Sequence, residues 1–335
     1  MQIVEFEHNK ALLHIENVHD AQDNGDNTGE EIEVMNSIMK RKWRNADLLI
    51  LLLPAAIQVI LFRYWPIAGI QIAFKDFSAR KGIWGSEWIG FEHFITFFKS
   101  YNFFEILGNT LGLSLSMLLF SFPIPFIFAL FLNRLPRRFR KVLQTTSYAP
   151  YFISTVVMVG MLYNFFSPSS GIVNLVLHNV FGIEPVNFMA KSSWFIPMYV
   201  GSAIWQTMGY NAVIYIAALS SVSPELYEAA KIDGASKLQS VFYIDMPSLL
   251  PTMVILLIMQ IGQIMNIGYE KVYLMQNALN LSSSEIISTY VYKLGLQQAR
   301  YDFSTAVNLF NTVINFGILM LVNRFSKKVS GNGLW

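Results

Sequence analysis

An all-α integral membrane protein with six transmembrane helices is the fold class this sequence predicts. Three observations carry it: a composition poor in charge, six long uncharged stretches, and a lopsided placement of Lys and Arg. Of 335 residues, 53% are hydrophobic and only 14% charged, against roughly 25% charged in an ordinary soluble domain. A disordered chain, a coiled coil and a collagen-like chain are excluded, and a soluble two-domain enzyme fits poorly. There is no cysteine, so no disulfide, iron–sulfur cluster or cysteine zinc site can form.

The stretches without Asp, Glu, Lys or Arg are 48–62, 106–133, 142–183, 192–224, 246–269 and 303–323. A bilayer core needs about 20 apolar residues in helix, because backbone groups in lipid must bond internally. The spans are therefore predicted at about 46–65, 109–132, 148–166, 195–219, 248–268 and 304–323. The first extends past Arg63, whose long side chain can reach the headgroups, into Tyr64 and Trp65. With the N-terminus inside, fifteen Lys and Arg fall on the cytoplasmic side and eight outside, so both termini are expected in the cytoplasm. Pro123 and Pro125 predict a kink in the second span.

Residues 1–38 hold nine acidic residues against Lys10, a charge of −8, while the rest of the chain carries +10. A polar segment without apolar periodicity has nothing to bury, and this one is expected to be a disordered cytoplasmic tail. Its three histidines, His8, His14 and His19, have no metal-ligand spacing. Residues 39–105 then hold the first span and an extracytoplasmic segment. Residues 106–325 are the core membrane domain, and 326–335 a cytoplasmic C-terminal tail.

Several chemistries are missing. There is no phosphate-cradling G-x-x-x-x-G-K-[ST] and no H-E-x-x-H or G-x-S-x-G. No Asp, Glu, Lys or His is expected mid-span, where a proton relay or sodium site would need one. The spans offer amides, hydroxyls and aromatic rings instead. Candidate path residues are Trp205, Tyr210, Asn211 and Tyr215 on span 4, with Gln206 beside them. Gln260, Gln263 and Asn266 on span 5 recur every third residue; Asn308, Asn311 and Asn315 share one face of span 6. Amides bond sugar hydroxyls and rings cover apolar sugar faces. The same pattern also serves interhelical hydrogen bonding, worth roughly 0.6 kcal/mol per pair.

The loop between spans 4 and 5, residues 223–251, has its own helical grammar. Ser223 is an N-cap and Pro224 sits at N1. Glu225 lies in the first turn, where the helix dipole favours it, and Glu228 with Lys231 forms an i,i+3 pair. Gly234 stops the helix where left-handed backbone is wanted. Ser236 with Gln239 reads as a capping box for a second short helix, and Pro247 and Pro251 punctuate entry to span 5. Two short capped helices on a cytoplasmic face read as a docking element.

Glu228-Ala229-Ala230, then Gly234, Ile244 and Pro247, has the spacing of the EAA loop, and the chain resembles the permease subunits of binding-protein-dependent ABC importers. Glu225 through Ala230 with Asp233-Gly234-Ala235 is similar to the carbohydrate permeases. Tyr64-Trp65-Pro66, Ile72 through Asp76, Asn109-Thr110, Thr289 through Tyr292 and Gly333-Leu334-Trp335 resemble the LplB-like polysaccharide permease subfamily. The resemblance covers about 45–335. It implies a type I importer (MetI-like) permease fold in a bacterial cytoplasmic membrane. It further implies a second permease subunit as heterodimer partner, separate ABC ATPase subunits that bind ATP and Mg, and an extracytoplasmic solute-binding protein. It assigns ATPase coupling to Glu225, Glu228, Ala229, Ala230, Asp233, Gly234 and Pro247. No cofactor and no catalysis are expected in this chain, and no nucleic acid among its partners. A permease for a peptide or lipid precursor, or a non-transport membrane scaffold, stays open as an alternative.

Overall fold

The computed structural model describes residues 46–330; the acidic segment 1–38 and the last five residues lie outside them. The chain divides into two compact units, one ending at Gly69 and one beginning at Ile70. In the first, α1 (Ala46–Val59) runs into a π turn, Ile60–Tyr64, and then a 3-10 stretch, Trp65–Phe74, that crosses the division. Pro66 lacks the N–H that would bond the carbonyl four residues back, and the wider π turn comes just before it, where Trp65 N–H reaches Ile60 O instead. Apolar side chains from Ile50 to Phe62 are exposed, as a helix solvated by lipid requires.

The second unit opens with a hairpin of two-residue strands, β1 (Lys75–Asp76) and β2 (Glu87–Trp88), antiparallel with Lys75 opposite Trp88. Between them lies α2 (Gly82–Gly85). Lys75 is buried; its ammonium donates to Ile83 O at 2.7 Å and lies 4.9 Å from the Trp88 ring. The amphipathic α3 (Glu92–Lys99) follows. Then α4 (Phe103–Ser121) and α5 (Pro123–Asn133) cross in one 31-residue run. The predicted interruption falls at Phe122, with Pro123 opening the second segment.

Among the described residues, four helical runs are long and apolar enough to cross a membrane: Ile50–Phe74, Phe103–Asn133, Lys237–Ile261 and Tyr301–Lys328. Within the third expected span, 148–166, the helix is α7 (Thr155–Phe165), 11 residues long; a 3-10 turn, Ala149–Phe152, joins it to α6 (Arg137–Tyr148), which lies before the span. Pro150 bars a continuous helix. The open backbone is met by Gln206 Nε2, which donates to Ile153 O at 2.7 Å, and by the Ser154 N-cap, which accepts from Val157 N–H. After α8 (Ile172–Phe181) comes α9 (Ser192–Ser220), 29 residues that include the fourth expected span, 195–219.

The cytoplasm-facing loop of the prediction holds α10 (Pro224–Ile232), α11 (Lys237–Ser240) and a π turn, Val241–Asp245. α12 (Met246–Ile261) is the body of span 5. It stops seven residues short of the expected end at 268, for reasons described below. α13 (Tyr269–Met275), α14 (Leu281–Ser284), α15 (Ile287–Tyr292) and a π turn, Lys293–Gln297, lead into α16 (Tyr301–Ser330).

α9 is the central helix of this unit, packing against α4, α5, α6 and α12, while α16 packs against α3, α12 and α15. Near the α10–α11 loop the core joins Phe126, Leu132, Tyr215, Leu219 and Leu249. At the far end Phe97, Phe103, Met265 and Phe303 form an aromatic-rich cluster. Gly209 of α9 lies so close to α6 that a Cβ there would stand 2.3 Å from Ser147 O. Gly209→Val should cost about 1–3 kcal/mol or more through overpacking. Its melting temperature and monodisperse yield should fall, while Gly201→Ala, with nothing within 4 Å of its Cβ position, stays at wild type. Equal melting temperatures for both would refute the close packing.

Candidate functional site

The loop grammar read from the sequence is met in detail. Ser223 Oγ accepts from Glu225 N–H, with Pro224 in the first turn of α10. At its other end Gly234 has φ +75°. Ala235 N–H bonds Ala230 O at 2.8 Å and Gly234 N–H bonds Lys231 O at 3.2 Å, the paired bonds of a Schellman cap. Both capping-box bonds of α11 are made: Ser236 N–H to Gln239 Oε1 at 2.7 Å and Gln239 N–H to Ser236 Oγ at 3.3 Å. One expectation fails: Glu228 and Lys231 are not among the ion pairs of the described residues, because both side chains are exposed and water competes for them.

Glu225, Glu228, Ala229, Asp233, Gly234 and Pro247 are exposed and Ala230 is half-buried. Around them stand Leu226, Ile232, Leu238, Phe242 and Tyr243, all more than half exposed. Apolar side chains gathered beside carboxylates on short, rigid helices form a surface suited to docking a partner.

What fixes these helices to the membrane domain is a group the sequence reading did not single out. Asp245 is wholly buried and forms an ion pair with Arg134, at the end of α5. Its other oxygen accepts from Tyr227 Oη of α10 at 2.5 Å, and the Arg134 guanidinium lies 5.8 Å from the Tyr227 ring. Burial, followed by the bond to and charge of Asp245, pushes the Tyr227 hydroxyl up to about 12. It therefore stays a donor throughout the working pH range. The signal was present in the sequence as a lone acid two residues before Pro247, at the mouth of an apolar span. An acid so placed requires a cation, and Arg134 supplies it.

The ten candidate path residues separate into groups. Asn211 and Tyr215 of α9 with Gln260 of α12 and Gln263 just beyond it line one cavity of about 370 Å³, closed on one side by Phe122 and Pro125. Trp205 lies elsewhere, lining an apolar groove with Met158, Phe165 and Trp194. Tyr210 stacks on Tyr151 of the α6–α7 break, ring centres 3.8 Å apart and planes 6° from parallel. Asn308 is exposed.

Asn311 and Asn315 are buried and bonded to backbone. Asn315 Nδ2 donates to Gly262 O at 2.7 Å, and its Oδ1 accepts from Met265 N–H at 3.2 Å. Asn311 Nδ2 donates to Met265 O at 3.3 Å and to Asn266 Oδ1 at 3.2 Å. These two amides replace the helical bonds missing from residues 262–268, which explains why α12 ends early. Asn266 in turn donates to Gln263 Oε1 at 3.1 Å. Lys271 of α13 is also buried against the long helix α9, donating to Tyr199 O at 3.2 Å. Among the described residues no three His, Asp or Glu side chains group as a metal site.

The described residues thus form a helical domain with four apolar runs long enough to cross a membrane and an exposed loop braced by a buried ion pair. Residues 121–331 match the family described as binding-protein-dependent transport system inner membrane component, and the chain belongs to that family. It is 39% identical to Protein LplB of Bacillus subtilis (strain 168), covering 92% of this chain and 95% of that one. It is 40% identical to the polygalacturonan/rhamnogalacturonan transport system permease protein YteP of the same organism, covering 86% and 90%. A crystal structure of a bacterial ABC transporter involved in the import of the acidic polysaccharide alginate is also similar. Its matching chain has 39% identity and a TM-score of 0.81, over 88% of this chain and 99% of that one. A further structure of a bacterial alginate ABC transporter, with a pentasaccharide-bound periplasmic protein, matches at 38% identity and TM-score 0.81. The chain thus has the permease fold of this transporter family.

Proposed function

We propose that this permease forms half of the translocation path of an importer for an oligo- or polysaccharide. The cavity of α9 and α12 carries the reading: three amides, a phenol and the Ser121 hydroxyl line it among apolar side chains. Such a lining replaces the water lost by sugar hydroxyls while leaving ring faces apolar surroundings. The Tyr151–Tyr210 stack adds a second aromatic surface in the same domain. A second permease subunit completes the path. An extracytoplasmic binding protein delivers the solute, and ATPase subunits holding ATP and Mg dock on α10 through Glu225, Glu228 and the exposed apolar side chains. The Lys and Arg asymmetry supports six crossings with both termini in the cytoplasm. The names of the relatives and the alginate-bound complex support a saccharide as the solute.

Coupling through α10 is tested by two variants in the reconstituted importer. Glu228→Lys reverses a charge at the dock. Gly234→Leu forces a side chain into left-handed backbone, about 1–2 kcal/mol of local strain, and misaims the helix. Both should insert normally and lose uptake by at least tenfold. Normal uptake with the ATPase still co-purifying in both variants would refute the assignment of α10.

A further inference from the structure

We infer that the tyrosine cluster Tyr269, Tyr273 and Tyr292, with Gln297, is a second saccharide subsite, at the end of the membrane domain opposite α10. The inference rests on the carbohydrate reading above and places a second contact for the same solute. The rings of Tyr269 and Tyr292 are stacked, 4.6 Å between centres and 18° between planes. Tyr273 meets Tyr292 edge-on at 5.1 Å. Gln297 Nε2 donates to Tyr273 Oη at 2.8 Å. Two helices and a π turn, otherwise separate in sequence, bring these four side chains together.

The cluster is not what holds α13 and α15 in place. Val272, Met275, Ile286 and Ile287, each at most 1% exposed, already supply a buried contact for these helices. Tyr269, by contrast, is 43% exposed and Gln297 is exposed. What faces outward is therefore an aromatic surface edged by a phenol and an amide. A pyranose unit has matching chemistry: a C–H face that lies on a ring, and equatorial hydroxyls that bond polar groups at the ring's rim. The neighbouring cation, Lys293, is held by Glu285 at 2.9 Å, so recognition here runs through the sugar ring rather than through its charge.

The position relative to the cavity fixes what the subsite does. Gln263 lines the cavity, Asn266 is bonded to Gln263, and Tyr269 follows three residues later. Six residues of chain reach no more than about 20 Å, so a solute of several sugar units is long enough to touch both places; the proposal assigns a disaccharide to the cavity alone. The tyrosines thus select for chain length.

The test uses the importer assembled with its second permease, ATPase and binding protein in proteoliposomes. The probes are oligogalacturonides, alginate oligomers and arabino-oligosaccharides, each from dimer to octamer. For the series that the wild type transports, Tyr269→Ala and Tyr292→Ala should raise KM for the octamer about fivefold, the value of one lost ring contact. The dimer KM, kcat and basal ATPase should not change, and Tyr269→Phe and Tyr292→Phe, which keep the ring, should raise the octamer KM less than the Ala variants do. An equal KM change for dimer and octamer, or wild-type KM in both Ala variants, overturns the subsite alone. If Tyr292→Ala fails to assemble, the exposed Tyr269 variant decides. A wild-type importer that transports none of the three series overturns the carbohydrate reading and the subsite with it.

Discussion

An Asp245→Ala importer should assemble poorly, and the fraction that assembles should lose most of the ATPase stimulation given by its binding protein. Asp245 is buried between Arg134 of α5 and Tyr227 of α10. Removing one partner of a buried ion pair costs about 3–5 kcal/mol, because the other charge stays without compensation. The Nε of Arg134 already lacks a partner in this site, so little is in place to absorb the loss. Two further variants separate stability from coupling. Arg134→Met with Asp245→Ala removes both charges and should recover much of the yield, since an apolar replacement of a whole pair is often neutral. It should not recover coupling, because α10 has still lost its tie to α12. Tyr227→Phe removes only the hydroxyl, a bond to a charged group worth about 1.5–3 kcal/mol, and should weaken coupling with assembly spared. Measuring complex yield and stimulated ATPase on the same preparations decides. Wild-type stimulation in Asp245→Ala would show that the tie is dispensable.

The second large effect separates two amides that the sequence treats alike. Asn311→Leu should lower yield and thermal stability, because Met265 O loses its donor inside the protein, at about 1–3 kcal/mol for a buried group left unpaired. Gln263→Leu should leave yield unchanged, since that side chain is exposed to the cavity. It should instead reduce solute transport several-fold while binding-protein-stimulated ATPase persists. Asn315→Leu belongs with Asn311 and should be the more severe, as it frees both Gly262 O and Met265 N–H. Transport per intact complex, measured beside ATPase, distinguishes the outcomes. A selective transport defect in Asn311→Leu at full yield would return that residue to the path.

These two cases also mark where the sequence was legible. Ser223, Pro224, Gly234, Ser236 and Gln239 act within a turn or two of themselves, so their caps could be read from spacing, and each is formed. The long runs of 103–133 and 301–330 were legible because lipid demands length and apolarity from the segment itself. The tie of Arg134 to Asp245 spans 111 residues, and no local pattern encodes such a partner. The amides of α16 share a face as expected, but spacing says only that they point one way, not whether solute or backbone waits there. Local bonds also carry α6 up to the turn inside the expected third span: Thr146 and Ser147 bond preceding carbonyls and Gln144 bonds Tyr148 Oη.

The unwound stretch after α12 has a mechanical consequence. Its backbone is fastened to α16 by Asn311 and Asn315, while the other end of α12 is fastened to α10 by Asp245. Between these ties, Met246–Ile261 is a stiff rod of about 24 Å, at 1.5 Å per residue. Such a rod, pivoting at Gly262, is a lever: a tilt of about 10° at the fulcrum displaces the loop end by about 4 Å, on the scale of a helical turn. Gln260 sits beside the pivot and hardly travels, whereas Leu256 and Met259 on the same cavity wall swing in order of their distance from it. A push on α10 would therefore reshape the cavity from its loop side and leave the amide end as a stationary floor.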